Sequence, residues 1–186
     1  MRKIVEIRKM KNLVDSLMTV TLLLLMPYEL IGEATHELLG IWMFTLFVIH
    51  QILNCQWYKA LGKGRYTLSR LLSTVVNVFL FFIMVALSLS GIAMAKHIVP
   101  FLWADSGKSV ARTIHLLFSH WGYVLMNIHL GFHLSVAIGM VKKAIESKHR
   151  LVWALRIFVT VFAGYGVYAL ISRGFVQYMF LRSRWF

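Results

Sequence analysis

Five long apolar runs, separated by short polar stretches, dominate this chain of 186 residues. They are Leu13 to Ile31, Thr35 to about Tyr58, Leu71 to Ala95, Ala111 to Val141 and Leu151 to Ser172. Each offers the roughly 20 residues a helix needs to cross a hydrocarbon core. Lipid offers the backbone no hydrogen-bonding partners, so segments of this kind cross as helices. The pattern predicts an all-α fold: a polytopic membrane helical bundle with five transmembrane helices. Thr35 is the expected N-cap of the second. The chain divides into a basic N-terminus over 1–12, a four-helix membrane domain over 13–143, and a fifth helix with a tail over 144–186. No internal repeat or low-complexity tract interrupts this order.

Charge adds sidedness. The formal net charge is +13, with only seven acidic residues. The basic residues lie between the apolar runs, which points to phospholipid headgroups and a lipid bilayer, not to nucleic acid. The N-terminus, the 59–70 loop and the 142–156 region hold 14 of the 20 Lys and Arg. Glu29, Glu33 and Glu37 fall on the poorer side. The positive-inside rule then puts the N-terminus in the cytoplasm and the C-terminus outside. No small-residue cleavage site follows the first run, so it reads as a retained span and not a signal peptide. Cys55, the single cysteine, cannot form an internal disulfide.

Histidines change the picture most. Ionisable residues inside a membrane are costly and default to a functional role. The fourth run carries His115, His120, His129 and His133; the second carries His36 and His50. Runs two and four cross in the same direction, so their histidines meet at matching depths. His36 and His50 are 14 residues apart, as are His115 and His129. That spacing falls about 40° short of four helical turns, so each pair shares a face and spans about 21 Å. His133 lies on the same face. His120 lies off it, and a packing or hydrogen-bonding role is expected there. Two cross-helix pairs stacked one above the other suit haem iron, whose axial ligands lie on one line while the flat macrocycle slots between helices. His36 pairs best with His115. His50 pairs with His129 or His133; equal spacing favours His129 and the shared face leaves His133 open. Zinc fits less well, because its closed sites gather three or four ligands at one depth. Gly40, Gly122 and Gly131 stand near the candidate ligands, where a haem edge would need small residues. Arg112, one turn before His115, is placed either to pair with haem propionates or to anchor the interface. His97 and His149 fall in connections and are expected to be solvated.

HELLG at 36–40, VIHQILNCQWYKAL at 48–61, ARTIHLL at 111–117 and HWGYVLMNIHLGFHL at 120–134 resemble the flavinylation-associated cytochromes. These are small bacterial membrane proteins regarded as b-type cytochromes. The likeness runs from about Leu13 to Lys143. It implies a cytochrome b-like four-helix core holding two b-type haems, with ligands among His36, His50, His115, His129 and His133. It also implies a bacterial cytoplasmic membrane location and electron transfer between membrane quinone and an extracytosolic flavin-bearing protein. An aromatic residue often fills the place of His120 in that family, in keeping with its exclusion. His133 would otherwise bond a haem propionate or line a quinone pocket. The expected role is electron carriage, as a quinol-oxidising or quinone-reducing subunit. Two rivals use the same features: a proton or ion transporter built on the histidines with Asp15 and Glu29, and a membrane anchor with no redox role.

Overall fold

The computed structural model describes residues 2–98, 107–145 and 149–182, without the side chains of 2–4 and 134–149. Among them the chain is helical, with no strand. The order is α1 (Arg2–Leu25), α2 (Tyr28–Ile31), α3 (Glu33–Leu53), α4 (Cys55–Ala60), α5 (Leu68–Met94), α6 (Lys108–Ile145), α7 (His149–Ser172) and α8 (Phe175–Met179). Three of these, α3, α5 and α7, are long and apolar enough to cross a membrane. Large apolar side chains stand exposed along them, with Phe82 64%, Phe162 69% and Ile171 72% exposed. Water would not tolerate so much contiguous apolar surface, and the chain is that of a membrane protein.

Local chemistry sets the boundaries. α1 begins in the basic N-terminus, about three turns earlier than the apolar run predicts, because helical hydrogen bonding does not require apolar side chains. It ends before Pro27, which lacks an amide proton. The chain turns through α2 and Gly32, whose φ of 76° suits glycine. Gly32 is the N-cap of α3, and no side chain caps it; the capping role expected of Thr35 is not used. The second run is broken at Asn54, whose side chain turns back to donate to the His50 carbonyl at 2.9 Å. α5 starts at Thr67, whose hydroxyl accepts from the Arg70 amide. At the far end, Gly174 takes a left-handed φ of 64° and turns the chain into α8.

Helix α1 packs on α3 and α5 packs on α6, and the two pairs join where α3 meets α5. The junction is a cluster of Met43, Phe47 and Met84, covered by Met18, Leu22, Leu25, Phe81 and Met126 among others. Helices α3 and α6, which carry the histidines, make no extended contact among the described residues. They face each other across the gap between the two pairs. Among the described residues, helix α7 packs mainly on α8 and α6.

Candidate functional site

His36 and His115 meet across that gap. Their ring centroids are 6.2 Å apart and their planes are inclined at 72°. His115 is held from α5: its Nδ1 lies 3.1 Å from Ser90 Oγ. That hydroxyl already donates to the Ala86 carbonyl at 2.7 Å, so it accepts from the imidazole. A side chain at Gly91 would begin 3.5 Å from His115 Cε1, so the glycine lets the ring lie against α5. His36 packs edge-on to Tyr28 at 5.2 Å. Its Nδ1 is buried with no hydrogen-bonding partner, a state that calls for a missing partner or ligand.

The second group lies at the other end of the Met43–Phe47–Met84 cluster. His50 Nδ1 is 2.8 Å from Asp15 Oδ1 on α1. His129 Nδ1 is 2.7 Å from Asn77 Oδ1 on α5. An ionised carboxylate and an amide oxygen can only accept, so both rings carry their proton on Nδ1. His133 packs beside His129, with ring centroids 4.8 Å apart. There it lines a cavity of about 480 Å³ with Thr67, Ser69, Arg70, Ser73 and Gly131.

Three of the four rings thus have Nδ1 engaged by an oxygen of a neighbouring helix, and a neutral imidazole held in this way presents Nε2 as its free nitrogen. Among the described residues, no group of three or more His, Cys, Asp or Glu gathers to hold a metal ion.

The other residues singled out by sequence fall into place around this arrangement. A side chain at Gly40 would meet nothing within 4 Å, and the same holds at Gly131. Gly122 instead lies against α5, where an added Cβ would stand 2.9 Å from Ile83 Cγ2; its service is to helix packing. Arg112 is exposed near the start of α6. His120 turns away from the gap. Its Nδ1 bonds the Leu116 carbonyl at 2.7 Å, and its ring stacks on Tyr178 of α8 at 5.1 Å. Trp121 Nε1 beside it donates to the Met179 carbonyl at 3.0 Å. His97 is solvated as expected, its side chain 52% exposed. It lies just past α5, where Glu37 accepts from the backbone amides of Lys96, His97 and Ile98 at 2.8, 2.9 and 3.2 Å. Glu33 pairs with Lys96 Nζ at 2.7 Å, and this bond raises the Lys96 pKa above its ordinary 10.5. The side chain of His149 lies outside the described residues, as does the 99–106 part of the 96–112 connection.

Sequence reading did not assign Asn77, Ser90 or Gly91. Asn77 carried a signal, since an amide in mid-span needs a partner; Ser90 and Gly91 are too common in membrane helices to stand out. Comparisons with family models, curated proteins and solved structures give no match to this chain.

Proposed function

We propose that this chain is a membrane cytochrome that carries electrons across a bilayer on two haems held between α3 and α6. The observation that carries the reading is the His36–His115 pair. These rings, with centroids 6.2 Å apart, would hold one haem between α3 and α6. The separation of α3 from α6 and the open space at Gly40 support it. His50 and His129 would hold the second haem, each oriented through Nδ1 by Asp15 or Asn77. Bound haem supplies a one-electron iron couple. The protein fixes the ligands, and the Met43–Phe47–Met84 cluster excludes water between the two sites. Arg112, one turn before His115, would neutralise a propionate at that end.

In this reading α1 and α6 complete five spans around a four-helix haem core. The N-terminus is cytoplasmic and His36–His115 lies toward the outside, in a bacterial cytoplasmic membrane. The partners are a membrane quinone and an extracytosolic flavin-bearing protein, in line with the family likeness. The cavity beside His133 is lined by the hydroxyls of Thr67, Ser69 and Ser73, groups that would donate to a quinone carbonyl; the Arg70 guanidinium beside them is held by the Ala60 and Arg65 carbonyls.

The test is optical. Purified protein should show a reduced b-type Soret and α band, with about two haems per chain by pyridine haemochrome. His36→Ala and His50→Ala should each remove one haem. A folded but colourless protein refutes the reading, and would leave the transporter and anchor alternatives. Loss of neither haem refutes the pairing.

A further inference from the structure

The two histidine pairs are not braced alike. At the His36–His115 end, one Nδ1 meets a neutral hydroxyl and the other has no partner. At the His50–His129 end, both meet side-chain oxygens from two other helices, and one of these is the carboxylate of Asp15. Sequence alone offered Asp15 only as a proton carrier in a transporter. Its contact argues for something else.

We infer that Asp15 is a positioning and tuning residue for His50, and that its carboxylate sets the reduction potential of the haem held by His50 and His129. The inference rests on the haem reading above. A carboxylate that accepts the Nδ1 proton draws it from the ring and makes the opposite nitrogen a stronger electron donor. A stronger donor favours the oxidised iron and lowers the midpoint potential. Asn77 does the same for His129 more weakly, being neutral. Its bond to His129 also selects that ring over His133 as the ligand opposite His50. Asn54 does not compete for the His50 ring. Its amide is 3.4 Å from Nδ1 and only 2.9 Å from the His50 carbonyl, which it serves as a donor. The Asp15 side chain is 51% exposed, so solvent screens part of its charge. A modest effect is therefore expected, on the order of a tenfold change in the preference for oxidised over reduced iron. For one electron that is about 59 mV.

The experiment is a potentiometric titration of the full-length protein, followed at the α band and run also in the single-haem His36→Ala and His50→Ala backgrounds. Asp15→Asn keeps an oxygen acceptor but removes the charge. It should raise one midpoint by about 59 mV, leave the other unchanged, and act in His36→Ala protein but not in His50→Ala protein. Asn77→Asp adds a charge at the matching contact and should lower the same midpoint. Ser90→Ala should move only the other haem. The inference is overturned if Asp15→Asn leaves both midpoints in place, shifts both equally, or acts on the haem that Ser90 touches. Should Asp15→Asn lose the haem, Asp15→Glu must retain it and Asn77→Asp must still lower its midpoint; failure of either overturns the inference. Wild-type protein without haem sinks the underlying reading instead, a distinguishable result.

Discussion

Gly122 offers a direct trial of how the bundle is held together. It stands seven residues from both His115 and His129, a spacing within about 20° of two full turns. It therefore lies on their stripe of α6, midway between them. Opposite it on α5 is Ile83, with Ser90 seven residues on one side and Asn77 six on the other. The Gly122–Ile83 contact is thus the midpoint of a seam, with Ser90–His115 above and Asn77–His129 below. In Gly122→Ala the new methyl would sit 2.9 Å from Ile83 Cγ2. An ordinary contact begins near 3.4 Å, so the seam must open by about 0.5 Å. Cγ2 is fixed directly to Cβ of a stiff, β-branched side chain, and Ile83 is buried, so the helices must move. Overpacking of this kind costs about 1–3 kcal/mol. Alanine in place of glycine returns about 0.5–1 kcal/mol of helix propensity. The net expectation is a loss of about 0.5–2 kcal/mol, read as a lower midpoint for thermal loss of helix circular dichroism in detergent. Ile83→Ala removes the offending methyl, so the double variant should show a favourable coupling of about 1–2 kcal/mol. Gly122→Ala protein as stable as wild type, together with zero coupling, would refute the seam.

Five further substitutions separate the parts of the site. Glu37→Ala should lower thermal stability by about 1–2 kcal/mol, since three charge-assisted amide bonds are lost at a partly exposed position; Glu33→Ala, which breaks an exposed pair, should cost less. His120→Phe should keep two haems and change stability by less than about 1 kcal/mol, because the stack on Tyr178 survives; loss of a haem on pyridine haemochrome assay would make His120 a ligand. Gly91→Ala adds a methyl at an ordinary 3.5 Å from His115 and should keep both haems, whereas Gly91→Val should displace the His115 ring and lower haem content from two to one.

Much of the architecture was legible from apolar periodicity, and the limits of that signal have physical causes. The runs beginning at Leu71 and Leu151 gave α5 and α7 nearly end to end, because lipid-exposed helices are apolar all round and their ends are marked by charge. The second run overshot at Asn54, where one amide turning back on the His50 carbonyl ends the helix. Hydropathy averages over windows and does not register one such side chain. The 14-residue histidine spacing anticipated that His36 would face His115, since helix geometry carries positions along an axis faithfully. Spacing did not distinguish Gly122 from Gly40. Both lie on histidine-bearing helices, but only the rotation of α6 against α5 decides which glycine touches a neighbour.

The same distinction explains why the bracing residues stayed hidden. A ligand pair across parallel helices repeats within each helix, so its signal is periodic and local. Asp15, Asn77 and Ser90 lie on α1 and α5 and act only through contacts between helices, which no single-helix period encodes. His50 is tied to α1, and His129 and His115 are tied to α5, so three of the four rings are oriented from within their own helix pair, and the two pairs meet through the Met43–Phe47–Met84 cluster. Breaking one brace should therefore weaken one site and leave the other intact.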